Sequence, residues 1–254
     1  LRPRAVQTFS KLRGVWRLLR LLVHLVRGWL TIRWRFPGWS PAQRDLAVQQ
    51  WSQSLLNILG MQMRIEGQLQ QHGPLMIVCN HISWLDIAVL HAAVHCRFIS
   101  KDDIRGWPVL GTLASGAGTL YISRASRRDA LRVVHAMAQA LKQGDVLAFF
   151  PEGTTGDGST VLPFHANLLQ AAITAQAPVQ ALGLCFEDAT SESVSFAPCY
   201  VGDESLLDSA WRTVCAPPLR AVLRCAPAQN VSGRDRRELA NDLRDTVVAL
   251  RAGL

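Results

Sequence analysis

The sequence predicts an α/β fold, a mixed β-sheet with helices on its faces, preceded by an N-terminal segment of two helices. After Gly60, short apolar runs bounded by turn residues alternate with longer helical stretches, which is the pattern of α/β proteins. Before Gly60, apolar residues recur with helical periodicity. At 254 residues, the chain is long enough for one substantial core with an appendage. We therefore divide it into a helical segment, residues 1–60, and an α/β domain, residues 61–254.

The first predicted helix is basic on one face. Residues 15–34 are about long enough to cross a bilayer, but basic side chains interrupt them. The spacing of these side chains, at gaps of four and three, places them on a single helical face. They are Arg13, Arg17, Arg20, His24 and Arg27. The pattern predicts a helix that lies in a membrane interface with Trp16 and Trp29 inserted among the lipids, and a transmembrane anchor or an ordinary surface helix is the alternative.

The remaining elements follow from breakers and apolar runs. Pro37, Gly38 and Pro41 separate the first helix from a second one, which we expect at residues 42–59. The predicted strands are residues 75–79, 97–100, 119–122, 146–150 and 179–186. The predicted helices are residues 84–94, 107–115, 127–143 and 165–176, and a last helix that Ser232 and Gly233 open.

The charge of the chain favours an anionic partner. The formal net charge is +8, and ten Lys and Arg residues precede Asp45, the first acid. Lipid head groups fit this asymmetry better than nucleic acid, because the basic stripe adjoins no recognisable reading module. The six cysteines form no CxxC pair and no Cys/His cluster with zinc spacing, so we expect reduced thiols and no metal site. No secretory signal pattern is evident, and we expect a protein that faces the cytosol.

A histidine and an acid follow the strand predicted at residues 75–79. His81 comes two residues after that strand, and Asp86 falls in the first turn of the next predicted helix. The carboxyl ends of strands are where α/β proteins place their working groups. If Asp86 accepts a hydrogen bond from one ring nitrogen of His81, the other nitrogen is free to act as a base. A lone His and Asp at this spacing is otherwise more often structural.

Two further strand exits carry polar groups. The apolar run at residues 146–150 ends in Pro151, Glu152 and Gly153, and the Gly-rich turn that follows can hold an anion with backbone N–H groups. Its glycines do not have the spacing of a Walker loop or a dinucleotide fingerprint. Arg124 follows the strand predicted at residues 119–122 and suits a phosphate or carboxylate. Taken singly, an arginine such as Arg124 is more often a solvated surface charge, and the bland interpretation of the Gly-rich turn is a plain strand-to-helix loop.

Taken together, four segments in order resemble the four blocks of the glycerolipid acyltransferase family. They are NHISWLD at 80–86, GTLYISR at 118–124, FPEGTT at 150–155 and APVQALGL at 177–184. The resemblance implies an enzyme that moves a fatty acyl group from an acyl carrier protein or coenzyme A thioester, its co-substrate, to the hydroxyl of a lysolipid in the membrane, without a cofactor or an acyl-enzyme. It also implies a peripheral or monotopic protein of the inner membrane, with its active site facing the cytoplasm.

The resemblance assigns roles to individual residues. It makes His81 the general base and Asp86 its orienting partner. The acceptor head group would bind near a second set of residues carried over from the other blocks. These are Arg124, Glu152, Gly153, Thr154 and Thr155.

One position departs from the family pattern. Thr155 stands where the third block usually has an arginine, which removes a positive charge expected near a phosphate. Bacterial sequences with Glu-Gly-Thr-Thr resemble enzymes that acylate lyso-ornithine lipid, whose head group has no phosphate. We expect 1-acyl-sn-glycerol-3-phosphate as the acceptor because Arg124 is retained, with lyso-ornithine lipid as the alternative. A serine hydrolase is disfavoured because no Gly-x-Ser-x-Gly elbow occurs, and a non-catalytic membrane-binding module is the remaining possibility.

Overall fold

The computed structural model describes residues 4–122 and 127–252. Within them, seven strands form one mixed sheet with the order β1-β7-β6-β2-β5-β3-β4. The strands are β1 (Met61–Glu66), β2 (Leu75–Cys79), β3 (Arg97–Lys101), β4 (Leu120–Ile122), β5 (Val146–Phe149), β6 (Val179–Asp188) and β7 (Leu219–Cys225). Among the strand pairs of these residues, only β6 and β7 are antiparallel.

Eight α-helices surround the sheet in the described part of the chain. They are α1 (Arg4–Trp34), α2 (Pro41–Leu59), α3 (Leu85–Ala93), α4 (Leu110–Gly116), α5 (Arg127–Lys142), α6 (Leu169–Ala175), α7 (Leu206–Cys215) and α8 (Arg236–Arg251). The predicted α/β class is confirmed, and each strand predicted from an apolar run is present. The sequence prediction omitted β1 and β7, because the two strands carry polar residues within them, and it also omitted α7.

The central strand β2 divides the core into two layers. All five of its residues are buried, as is typical of a strand covered on both faces. Leu75, Ile77 and Cys79 belong to the cluster that includes α2 and α3 side chains, whereas Met76 and Val78 pack with α5, α6 and α8. Because successive side chains of a strand point to opposite faces, β2 alone fixes which helices share a layer.

The first helix packs closely against α7 and α2. A Cβ at Gly14 would lie 2.4 Å from Cys215 Sγ, so the glycine allows α1 and α7 to approach this closely. Arg17 donates hydrogen bonds to the carbonyls of Val214 and Ala216 at 3.2 and 3.1 Å, at the C-terminal end of α7. His24 stacks on Trp51 with ring centroids 4.6 Å apart. The expectation that the whole basic stripe contacts lipid is therefore wrong for Arg17 and His24, which are buried in packing.

The opposite face of α1 exposes large apolar side chains to solvent. Trp16, Leu19 and Val23 are 62%, 53% and 59% exposed. Among the described residues, no helix has the length and apolar character needed to span a membrane. The division of the chain at residue 60 stays a prediction, and α1 and α2 both contribute side chains to the core on their face of the sheet.

Asn80 sets the direction in which the chain leaves β2. Its side-chain amide donates to the Leu184 carbonyl at 3.0 Å, and its oxygen accepts from the Leu184 N–H at 2.7 Å. These two bonds extend the β2–β6 ladder beyond its last backbone pair, Cys79 with Leu182. The side chain is buried, so both bonds are shielded from water. The residue that follows, His81, thus begins its loop from a fixed point.

Candidate active site

His81 and Asp86 meet at the carboxyl end of β2, the geometry that the sequence predicted. His81 Nδ1 lies 2.7 Å from Asp86 Oδ2. The same carboxylate oxygen accepts the backbone N–H groups of Ile82 at 2.7 Å and Ser83 at 2.9 Å. Asp86 is fully buried in the first turn of α3, where a helix N-terminus favours a negative charge. One carboxylate therefore fixes both the ring and the loop that carries it.

The plane of the His81 ring is fixed by stacking, in addition to the contact of Nδ1 with Asp86. It stacks on Phe150, which directly follows β5, with ring centroids 3.9 Å apart and an angle of 5° between the planes. The ring remains 18% exposed, so solvent or a ligand can contact its edge. Because Asp86 binds Nδ1, Nε2 is the ring nitrogen that can accept a proton. The arrangement suits general-base chemistry at a hydroxyl group.

Glu152 joins the Gly-rich turn to the loop of His81. One carboxylate oxygen accepts the backbone N–H of His81 at 2.7 Å, and the other accepts the backbone N–H of Leu162 at 2.8 Å. The N–H of Gly156 in turn donates to the His81 carbonyl at 2.9 Å. Burial raises the pKa of Glu152, while the two backbone hydrogen bonds and the nearby His81 oppose that rise. Both oxygens are therefore occupied by the protein, and we infer that Glu152 positions His81.

The other residues of the predicted head-group site lie on the same turn or outside the described residues. Gly153 has a φ of 72°, a conformation that favours glycine and turns the chain after Glu152. Thr154 is exposed and Thr155 is half-buried, and both belong to the turn beside the His81 loop. Arg124 lies outside the described residues, two positions beyond the end of β4. Its predicted role and those of Gly153, Thr154 and Thr155 stay predictions.

The connection between β6 and α7 packs against the loop that carries His81, a contact that the sequence analysis did not predict. Ser83 Oγ donates to the Pro198 carbonyl at 2.5 Å and accepts the N–H of Leu85, the first residue of α3, at 3.2 Å. The N–H of Tyr200 donates to the Ile82 carbonyl at 3.0 Å. A Ser-x-x-Asp sequence at residues 205–208 caps α7 and was the available signal for this helix.

Cysteine chemistry does not compete with His81 at this site. Cys79 ends β2 close to His81, but it is fully buried, and burial raises its pKa well above the ordinary range of a thiol. Burial also raises the pKa of Cys199 to about 11. Thiolates are the reactive form of cysteine, so neither residue is a ready nucleophile. Among the described residues, no three His, Cys, Asp or Glu side chains form a group suited to a metal ion.

Known proteins share this arrangement of sequence and fold. The profile of the Acyltransferase family matches residues 61–184, which include both His81 and the Glu152 turn. A relative from Neisseria meningitidis, "1-acyl-sn-glycerol-3-phosphate acyltransferase", is 34% identical over 245 residues, 95% of this chain and 93% of that protein. The chain belongs to the glycerolipid acyltransferase family, and it is an acyltransferase of lipid biosynthesis.

Two further comparisons agree with this family and with the fold. The "Lyso-ornithine lipid O-acyltransferase" of Pseudomonas aeruginosa is 32% identical over 245 residues, covering 94% of this chain and 93% of that protein. The crystal structure of the 1-acyl-sn-glycerophosphate acyltransferase PlsC from Thermotoga maritima superimposes with a TM-score of 0.64 at 17% identity. It covers 93% of this chain and 97% of that one, which shows a common fold.

Replacing Glu152 with Gln tests whether this residue positions His81 or binds the head group of the acceptor. An amide places an NH₂ donor opposite the N–H of His81 or Leu162, so the loop loses a bond and His81 loses its alignment. We expect kcat for acyl transfer to fall about 10- to 100-fold with the KM for the acceptor nearly unchanged. Steady-state kinetics of the purified enzyme measures both constants.

Glu187→Gln is the matched control, because Glu187 is also buried but pairs with Arg64 and Arg220 at the β6–β7 edge. Its kcat should stay close to that of the wild type. A rise in the acceptor KM of Glu152→Gln with kcat unchanged would instead place the carboxylate in the head-group site.

Proposed function

We propose that the protein transfers a fatty acyl group from an acyl carrier protein or coenzyme A thioester to the free hydroxyl of 1-acyl-sn-glycerol-3-phosphate, giving phosphatidic acid. The observation that carries this proposal is the hydrogen bond between His81 Nδ1 and the buried carboxylate of Asp86. The Neisseria relative supports it, because its name states that acceptor and the similarity extends over 95% of this chain.

The mechanism is direct transfer of the acyl group from the thioester sulfur to the hydroxyl oxygen of the acceptor. Nε2 of His81 takes the proton of the acceptor hydroxyl as its oxygen attacks the thioester carbonyl. The tetrahedral intermediate collapses, the carbon–sulfur bond breaks, and the departing thiolate receives the proton from the imidazolium. Asp86 stabilises that imidazolium through Nδ1 and holds the ring in place between the two steps. No covalent enzyme intermediate is required.

Lyso-ornithine lipid is a second candidate acceptor. The Pseudomonas relative named for it is nearly as similar to this chain as the Neisseria one. In addition, residues 150–165 contain no Lys or Arg, so the turn brings no positive charge of its own to a phosphate. We keep 1-acyl-sn-glycerol-3-phosphate first because the sequence retains Arg124, two positions after the last residue of β4.

We expect purified protein to acylate at least one of these acceptors when both are offered with radiolabelled acyl-coenzyme A or acyl carrier protein. His81→Ala should lower the rate about 100-fold or more, because it removes the general base. His72→Ala, which alters an exposed histidine before β2, should leave the rate unchanged. Thin-layer chromatography of the products identifies the acceptor and the donor that the enzyme uses. A His81→Ala enzyme with wild-type turnover would exclude this mechanism.

We also propose that α1 attaches the enzyme to the cytoplasmic surface of an anionic bilayer. A groove of about 270 Å³ on the exposed face of α1 combines apolar walls with cationic side chains. Its lining residues are Trp16, Leu19, Arg20, Val23, His24, Arg27 and Ile58. Apolar groups can enter the acyl boundary while Arg20 and Arg27 remain at the level of the phosphates. The lysolipid acceptor would then reach the enzyme from the membrane itself.

Changing Trp16, Leu19 and Val23 together to Ser should weaken binding to anionic lipid vesicles at least about 10-fold, because much of the apolar contact is lost. Sedimentation of the protein with vesicles of phosphatidylglycerol and phosphatidylethanolamine measures the change. Leu131→Ser is the control, since Leu131 is 65% exposed on α5, in the other helical layer. Equal loss of binding in the control, or none in the triple variant, would rule out α1 as the membrane contact.

A further inference from the structure

The Gly-rich turn beside His81 has negative charge but no cation of its own. Residues 150–165 contain Glu152 and Asp157 and no Lys or Arg. Each acceptor considered above carries an anionic group, a phosphate in one case and a carboxylate in the other. An anion next to these two acids needs a positive charge from another part of the chain. Arg251, the last residue of α8, carries a positive charge close to the turn.

Arg251 reaches this turn from almost 100 positions further along the chain. Its Nη2 donates a hydrogen bond to the Gly158 carbonyl. Gly158 has a φ of 81°, and a Cβ at that position would lie 3.2 Å from Ile82 Cδ1 and 3.4 Å from Arg251 Nη2. Gly158 therefore lies between Arg251 and Ile82, the residue that follows His81. The guanidinium group and the side chain of Ile82 thus both lie close to Gly158.

The charge of Arg251 is not neutralised by an ion pair in the described part of the chain. There, no acidic side chain lies within 4.0 Å of its guanidinium group, and its buried Nε has no hydrogen-bond partner. Asp157, an acid of the turn, instead accepts hydrogen bonds from the N–H and hydroxyl of Ser159. Burial raises the pKa of Glu152 and hydrogen bonds from Ser159 lower the pKa of Asp157, and the positive charge of Arg251 acts on both groups by favouring the ionised carboxylate.

We propose that Arg251 binds the anionic head group of the lysolipid acceptor at the Gly-rich turn. The inference rests on the proposed function and names the residue that would recognise the acceptor. An arginine presents several N–H donors in a planar fork, and a phosphate or carboxylate can accept two of them together. Nη2 donates to the Gly158 carbonyl and Nε is buried, so the donors available to the ligand are those of Nη1 and the second N–H of Nη2. Arg251 also lies outside residues 61–184, the segment that the family profile matches.

The test compares Arg251→Gln with Arg251→Lys in the full-length enzyme. Gln keeps an N–H donor but loses the charge, whereas Lys keeps the charge. We expect the acceptor KM of Arg251→Gln to rise about 10- to 100-fold, the usual effect of losing a hydrogen bond to a charged group. Its kcat and the KM for the thioester should stay within about threefold of the wild type. Lys, which keeps the charge but not the planar fork, should restore part of the acceptor affinity.

Arg244→Gln is the matched control for a purely structural effect. Arg244 lies two turns earlier on α8 and donates to the carbonyls of Val161 and Leu162, so it tethers the same segment without facing Gly158. Its acceptor KM should not change. Thermal unfolding shows whether each variant folds, and Arg251→Met replaces the Gln variant if the latter does not.

Two acceptors distinguish the anion. With lysophosphatidate and lyso-ornithine lipid assayed in parallel, the one whose KM rises in Arg251→Gln identifies a phosphate or a carboxylate as the ligand. An unchanged acceptor KM, or an equal loss of kcat in the Arg251 and Arg244 variants, would show that Arg251 only tethers the turn and would overturn the inference. A wild-type enzyme that acylates neither acceptor would overturn the proposed function, and the inference with it.

Discussion

The carboxylate of Asp86 holds the loop after β2 in a single shape. Its Oδ2 accepts three hydrogen bonds, one from the His81 ring and two from the backbone of Ile82 and Ser83. Burial makes these bonds strong, because water does not compete for them, and the N-terminus of α3 supports the negative charge. The position of the base, its ring orientation and the path of the chain into α3 all depend on this one side chain.

The sheet and the turn complete that arrangement from both sides. Asn80 binds the β2 exit to β6, while Glu152 and Gly156 bind the His81 backbone to the turn that follows β5. Because β2 and β5 are parallel neighbours, both exits open at the same edge of the sheet. The two loops of the active site therefore start from strands that are packed in the core. This packing fixes the relative positions of the active-site side chains. The outward apolar face of α1 belongs to the same molecule and supplies the proposed contact with lipid.

Much of this architecture could be predicted from local sequence, and the exceptions have physical causes. Apolar runs predicted the central strands, and the position of His81 and Asp86 at a strand exit predicted their contact. The edge strand β1 was missed because only one of its six residues is buried, so its sequence lacks an apolar run. The bonds of Glu152 to two backbone N–H groups, and the approach of Arg251 to Gly158, depend on how distant segments pack. Spacing along the chain carries no signal for such contacts.

The most direct test of the central claim is the tautomer of His81 in the free enzyme. Nitrogen-15 NMR of the neutral imidazole should show the proton on Nδ1, donated to Asp86, with Nε2 unprotonated and available as the base. In Asp86→Ala, the same resonances should move toward the mixture of tautomers that a free histidine adopts. A wild-type His81 protonated on Nε2, with no change on removal of the carboxylate, would contradict the account.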